Sequence, residues 1–127
     1  MRDTIKLKYP ILIDGKTVSE ITVDTEEITA ALYAEADTRK RIAVGTKNVA
    51  IAPAVEFDFA LHPYIGYAAA VAANPGYTFF DLERVHGSDV ISFAEVGRNF
   101  LLRSEDAVSS SSGEQSETTA DTSTQAQ

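Results

Sequence analysis

The two histidines of this chain are the residues best suited to acid–base or metal chemistry. His62 closely follows Asp58, and His86 lies between Asp81 and Asp89. A zinc site needs three or four converging ligands, but the chain has no cysteine and no His-x-x-x-His pair. We therefore expect no metal site, and we interpret His86 as a residue that ends a helical turn.

Nucleophilic chemistry lacks its usual sequence patterns here. No Gly-x-Ser-x-Gly elbow occurs, and the scattered glycines form no phosphate-binding loop. Glu56 and Asp58 lie two positions apart and would not face each other on a helix, whereas Ser88 suits a helix N-cap. Because no set of acid, base and nucleophile can be assembled, we expect a protein that is not an enzyme and needs no cofactor.

The charge of the chain argues against nucleic acid as a partner. The formal net charge is -8, and the segment after Arg103 contains several acidic residues but no lysine or arginine. Such a protein repels phosphate backbones. The one basic cluster, Arg39-Lys40-Arg41 with Lys47, is typical of a solvated loop after a helix.

No segment has the character of a membrane span or a signal peptide. The longest nearly uncharged run, Phe59 to Ala73, is shorter than the roughly 20 residues needed to cross a bilayer, and it contains Pro63. The first residues alternate in polarity and lack the apolar core of a signal peptide. The absence of cysteine is compatible with a reducing compartment, so we expect a cytoplasmic protein that does not contact membranes.

The elements that must position any site begin with a β-hairpin. Apolar residues alternate with lysines over Ile5–Tyr9, as in a half-buried strand. Pro10 interrupts the pattern where only an edge or a bulge would tolerate it. Asp14-Gly15 favours a tight turn, and the sequence therefore predicts a hairpin over Ile5–Val23.

A first helix is predicted over Glu26–Thr38, which is rich in alanine and lacks glycine and proline. Asp24 or Thr25 would cap it, and it would end near the basic cluster. The next residues, 42–52, favour neither element, although Val49 and Ile51 suit a short extended piece.

A second helical region has two prolines. Pro53 suits the first position of a helix, and Ala54–Leu61 could form one or two turns. At Pro63 we expect a kink or a restart, since proline lacks an N–H group. The following residues, from Tyr64, are apolar on all sides and predict a central helix that Asn74-Pro75-Gly76 stops.

Two further helices complete the folded part. Thr78 and Asp81 resemble a capping box, so we predict a short helix over Phe79–Val85 that buries Phe80, Leu82 or Val85. The last helix is capped by Ser88 with Asp89 at its N-terminal end. Its apolar residues recur at three- and four-residue intervals and include Gly97, where we expect another helix to come close.

These elements predict an α+β fold in which an N-terminal β-hairpin packs against a small bundle of about four helices. We assign this domain to residues 1–103. The remaining residues, 104–127, are mostly serine, threonine, glutamine and acids. They bury too little apolar surface to offset their ordering entropy, so we expect a disordered acidic tail.

Aromatic residues exceed the obvious needs of a small core, so an exposed subset could form a groove for an apolar partner helix. The candidate partner-binding residues, which would lie near that groove or in its supporting core, are Tyr64, Tyr67, Phe79, Phe93 and Phe100. For each of them a place in the core competes with direct contact.

The order of these segments resembles the tail assembly chaperones of contractile-tailed phages, including the Mu-like phages. The likeness covers roughly Thr4–Leu102. It rests on the hairpin and on the ending, namely on Leu7-Lys8-Tyr9-Pro10-Ile11, Asp14-Gly15-Lys16, Ile21-Thr22-Val23, Phe80-Asp81-Leu82-Glu83-Arg84 and Val96-Gly97-Arg98-Asn99-Phe100-Leu101. The sequence departs from the family pattern in a longer stretch over Ile42–Pro63 and in its serine-rich tail.

The resemblance implies a non-enzymatic protein that coats the helical tape measure protein before the tail tube polymerises around it. It implies action in the host cytoplasm and absence from the mature virion. Family members often have a second, longer product made by ribosomal frameshifting, which recruits the tail tube protein. A homo-oligomer is also compatible with the family.

A second hypothesis comes from a different class of protein. The chain could be a structural virion protein or adaptor whose hairpin edge pairs with neighbouring copies in a ring. Mature particles would distinguish the two, because a chaperone is absent from them and a structural part is present.

Overall fold

A computed structural model describes residues 1–45 and 58–115, with only the backbone described over 104–115. Within this part, an antiparallel β-hairpin at the N-terminus packs with four α-helices, which confirms the predicted α+β architecture. The elements, in chain order, are β1 (Arg2–Ile13), β2 (Lys16–Asp24), a 3-10 turn (Thr25–Glu27), α1 (Ala30–Val44), α2 (Leu61–Ala73), α3 (Phe79–Leu82) and α4 (Ser88–Gln115).

The hairpin turns at Asp14 and Gly15, as predicted. Both residues have positive φ angles, 53° and 77°, which is the geometry of a type I′ turn and matches the twist of the two strands. Ile13 and Lys16 form the pair next to the turn. On the inner face, apolar side chains such as Ile21 and Val23 are buried against the helices.

A large bulge interrupts β1 around Pro10. Lys6 pairs with Glu20 and Ile11 pairs with Val18, so residues 7–10 of β1 face only one residue of β2. Proline has no N–H group for a ladder hydrogen bond, and its place in the bulge agrees with the prediction of an edge or bulge.

The predicted start of the first helix is wrong. The Asp24 side chain accepts a hydrogen bond from the Glu26 N–H and caps only the 3-10 turn. Ile28 is then extended, and Thr29 caps α1 by accepting from the Leu32 N–H at 3.1 Å. The helix also runs past the basic cluster to Val44 and ends at Gly45, whose φ is 72°.

The basic cluster therefore lies inside α1 and not in a loop. Arg41 forms an ion pair with Asp37 at 2.9 Å, and Lys40 forms one with Asp58 at 2.9 Å. Acids one turn away or on the neighbouring segment offset these cations, so a helix can contain them. The predicted extended piece at Val49 and Ile51 and the predicted helix start at Pro53 lie outside the described residues, as does Lys47.

The central helix α2 begins at Leu61 and contains Pro63 in its first turn. The first N–H groups of a helix have no intrahelical acceptor, so the helix accommodates this proline in its first turn and does not restart after it. Ile65 and three consecutive alanines, 68–70, have no exposed surface, as predicted for a helix surrounded by neighbours. Asn74 ends it, and its Nδ2 donates to the carbonyl oxygens of Ala70 and Thr22.

Two glycines allow α2 and α4 to pack with their backbones in contact. A Cβ atom on Gly97 of α4 would collide with the carbonyl oxygen of His62, and one on Gly66 of α2 would collide with that of Phe93. The two helices are antiparallel, because the later residue of α4 faces the earlier residue of α2. The predicted close approach at Gly97 is confirmed, and Gly66 forms its counterpart.

The last two helices differ from their predicted lengths. The capping box of Thr78 and Asp81 is present, but α3 ends at Leu82. Of the three alternatives predicted for burial, Leu82 and Val85 are buried and Phe80 is exposed. The backbone of α4 continues to Gln115, beyond the predicted domain end at residue 103, and residues 116–127 of the predicted tail lie outside the described part.

Candidate partner-binding surface

Most of the aromatic residues predicted for a partner groove are in the core. Tyr67, Phe79 and Phe93 expose 5%, 2% and 0% of their surface. Tyr64 and Phe100 are half-buried and pack against the same core. The five side chains therefore do not form one exposed groove, and only the last two reach the surface.

A row of three rings connects the surface to the centre of the domain. The Tyr64 and Tyr67 rings meet edge-to-face with centroids 5.2 Å apart, and Tyr67 lies 5.3 Å from Phe93. Such edge-to-face contacts stabilise aromatic pairs beyond simple burial. Tyr64 is thus fixed in orientation by buried neighbours.

The Tyr64 hydroxyl ties α2 to the residue that follows α3. It donates a hydrogen bond of 2.6 Å to the Glu83 carboxylate. Burial, followed by this hydrogen bond, raises the pKa of the Tyr64 phenol well above its usual value. The hydroxyl therefore keeps its proton at neutral pH and remains a donor to Glu83.

Phe80 is the most prominent aromatic ring beside this hydrogen bond. It exposes 60% of its surface, and the Arg39 guanidinium of α1 lies 4.0 Å from the centre of its ring. In the four-residue α3, Phe79 and Leu82 point into the core. Asp81 is also buried and accepts from the Thr78 N–H in the capping box, so Phe80 is the residue of this short helix that points outward.

We call the group Arg39, Tyr64, Phe80 and Glu83 the helix-junction surface, because α1, α2 and the α3 end contribute to it. Its composition of aromatic rings and an arginine is typical of the residues that dominate binding energy at protein interfaces. Phe80 was predicted only as one of three alternatives for burial, with Leu82 and Val85, and not as a candidate for partner binding.

Other large apolar side chains are exposed at separate places on the surface. Ile91 of α4 exposes 60%, and Leu12 of β1 exposes 57%. Ile42 and Phe59 are also exposed, and they flank the undescribed residues 46–57. None of these has the combination of ring, cation and fixed tyrosine found at the helix junction.

The carboxylates near the histidines have structural partners. Asp58 binds Lys40, as described above, and Asp81 belongs to the α3 capping box and pairs with Arg84 at 3.1 Å. His62 is buried, with its ring edge-to-face with Phe59 at 5.6 Å. These acids therefore fix the fold around the histidines.

Asp89 joins α4 to the bulge of β1. Its side chain is buried, and its two oxygens accept hydrogen bonds from the N–H groups of Lys8 and Tyr9. Arg84 adds a hydrogen bond of 2.8 Å to the carbonyl oxygen of Leu12. Backbone groups of the hairpin that another strand could use are thus occupied by side chains of this chain.

Among residues 1–45 and 58–115, no group of three or more metal-binding side chains is arranged to hold an ion. No helix in that part is both long and apolar enough to cross a membrane. Comparisons of the chain with protein-family models, curated proteins and solved structures give no match. The functional interpretation therefore depends on the layout of the chain and on the helix-junction surface.

Proposed function

We propose that this protein is a phage tail assembly chaperone that binds the tape measure protein and keeps it soluble before the tail tube polymerises. The observation that carries the proposal is the exposed Phe80 ring, fixed beside Arg39 and the Tyr64–Glu83 hydrogen bond. The described hairpin-plus-helices architecture is the one that the resemblance implies, which adds support.

The physical need for such a protein follows from the partner. A long helical protein made before its tube exposes apolar stripes, and such stripes aggregate unless another surface covers them. A rigid aromatic side chain covers apolar surface at a low entropic cost, because little freedom remains to be lost on binding. Phe80 fits this role, since α3 is capped and Arg39 packs over the ring.

The proposal is of a binding protein and not of an enzyme. The acids that lie near histidines in the sequence are used in the capping box, in ion pairs and in the Asp89 contact to the β1 bulge. Because these acids hold the fold together, the proposal assigns them no catalytic role and places function at the helix-junction surface. The same proposal includes action in the host cytoplasm and absence from the finished particle, as the resemblance implies.

The alternative is a structural ring protein that pairs through its hairpin edges. Side chains of Asp89 and Arg84 already bind backbone groups of β1, and Asn74 binds the Thr22 carbonyl oxygen of β2. Strand pairing between copies at these places would have to displace those contacts. We therefore favour the chaperone over the ring.

Co-expression with the long helical protein that the proposal expects to be encoded downstream in the same genome tests the proposal. We expect the long protein to be insoluble alone and soluble in a multi-copy complex with this chain, observed by pull-down and size-exclusion chromatography. If the two proteins do not associate, and this chain forms a stable ring and is present in mature particles, the chaperone proposal is wrong.

A further inference from the structure

We infer that the helix-junction surface binds an amphipathic helix of another protein that places an apolar side chain on Phe80 and a carboxylate on Arg39. The inference rests on the proposed function and adds to it the contact residues and the chemistry of the partner. It replaces the predicted groove, most of whose residues are buried.

The apolar half of the contact is the Phe80 ring. With 60% of its surface exposed and Arg39 over one part of it, the ring leaves apolar area that water covers in the free protein. Burial of such area favours association. Because Phe79 and Leu82 fix the orientation of α3, the ring is already placed for contact.

The charged half is the Arg39 guanidinium. Its ion pair with Glu35 is 3.8 Å long, which exceeds hydrogen-bonding distance. A guanidinium has five N–H donors in a fork that matches a carboxylate. Stacking on Phe80 orients the fork, and an incoming carboxylate would compete with Glu35 for its donors.

Glu83 sets the direction of the partner's charge. Its carboxylate accepts from the Tyr64 hydroxyl, and its negative charge disfavours a second carboxylate at that end of the surface. The complementary partner therefore carries its acid toward Arg39. On a helix, side chains three or four positions apart lie about 5–6 Å from each other, which suits the close spacing of Arg39 and Phe80.

The test uses overlapping peptides of about 25 residues, a length that can form helix, which together span the long helical protein of the same genome. We compare the binding of three full-length proteins to the same peptides: the wild type, Phe80→Ala and Ile91→Ala. Ile91 is a matched control because it also exposes 60% of its surface. We expect Phe80→Ala to weaken binding about tenfold or more and Ile91→Ala to leave it unchanged.

Arg39→Gln tests the charged half of the contact. We expect weaker binding and a flatter dependence on salt concentration, since a charge pair that salt screens is lost. The bound peptides should carry Asp or Glu three or four positions from a large apolar residue. Urea unfolding of each variant confirms that the fold is retained.

The outcomes separate the inference from the proposed function. If the wild-type chain binds peptides and Phe80→Ala or Arg39→Gln binds them equally well, the inference is wrong and the proposed function stands. If the wild-type chain neither binds any peptide nor solubilises the long protein, the proposed function fails, and the inference fails with it.

Discussion

The Asp89 carboxylate accepts a 2.9 Å hydrogen bond from the Tyr9 N–H, across 80 positions of sequence. Its other oxygen accepts from the Lys8 N–H at the same distance. The Tyr9 ring also lies against Gly87 and stacks on His86 with centroids 5.2 Å apart. The β1 bulge is therefore docked on the start of α4 through both backbone and side-chain contacts.

Replacement of Asp89 by Asn should destabilise the domain by about 1–3 kcal/mol, the cost of leaving a buried donor without an acceptor. An Asn amide offers only one oxygen to the two N–H groups that Asp89 now satisfies. Urea unfolding measures the loss, and amide hydrogen exchange at Lys8 and Tyr9 should accelerate. Glu95→Gln, an exposed change in the same helix, is the control; equal stability of the two variants would contradict the role of Asp89.

Replacement of Gly97 or Gly66 by Ala should destabilise the domain by about 1–3 kcal/mol or more, since overpacking forces the backbone apart. Ala normally favours an exposed helix over Gly by about 1 kcal/mol, so the sign of the effect reports the close contact. Gly76→Ala is a control for the added methyl group alone, because Gly76 lies in a turn and a Cβ atom there meets nothing within 4 Å. Thermal and urea unfolding measure the stabilities of the three variants. If Gly97→Ala is as stable as the wild type, α2 and α4 do not pack through their backbones.

The stability of the domain should fall as pH rises above 10, partly because of Tyr67. Burial and the nearby Glu83 charge raise the pKa of Tyr67 to about 12 in the folded state, compared with 10.0 for an exposed tyrosine. Between these values the unfolded chain loses the phenol proton while the folded chain keeps it. The free energy of unfolding therefore falls by about 1.4 kcal/mol for each pH unit. Below pH 10 the contribution is fully present.

Urea unfolding from pH 9 to 12 measures this dependence, and Tyr67→Phe should flatten it by removing the titrating hydroxyl. An ultraviolet titration of the folded protein gives an independent check. If all five tyrosines ionise together near pH 10 while the protein is folded, the buried environment of Tyr67 is refuted.

Thr78→Ala should weaken partner binding as well as stability, because the capping box sets the direction of α3. Loss of an N-cap costs about 1 kcal/mol, and a frayed α3 no longer presents Phe80 in one orientation. Thr38→Ala, an exposed change in α1, should leave both unchanged. If Thr78→Ala is less stable but binds peptides as tightly as the wild type, the capping box does not control the binding surface.

Local signals predicted much of the fold. Asp14-Gly15 specifies its turn because only a few residues accept positive φ at both positions. Thr78 with Asp81 specifies a helix start through reciprocal hydrogen bonds, and Gly97 on an apolar face indicated a close helix. In each case the residues that decide the structure are adjacent in sequence or one helical turn apart.

The start of α1 was not predictable in the same way. Asp24 and Thr29 are both good N-caps, and propensity does not choose between them. The chain uses Asp24 for a 3-10 turn whose Thr25 is buried and binds the carbonyl oxygen of Met1. The choice is made by packing of distant residues, which a local pattern does not contain.

The candidate surface was only partly predictable for a related reason. Tyr64 was a predicted candidate, whereas Phe80 was predicted only as one of three alternatives for burial, because a helix of four residues gives too few positions to determine its phase. Burial of Phe79 and Leu82 decides that phase. The use of Asp89 as an acceptor for the β1 bulge likewise depends on a contact between the two ends of the domain.

The antiparallel crossing of α2 and α4 has a geometric consequence for the C-terminal end. Gly97 faces the first turn of α2, yet the backbone of α4 continues to Gln115. Leu101 is the last buried residue among those of α4 whose side chains are described. From there, a rise of about 1.5 Å per residue carries the helix backbone roughly 20 Å further. The described backbone of α4 therefore ends well beyond its contact with α2, on the side where α2 begins.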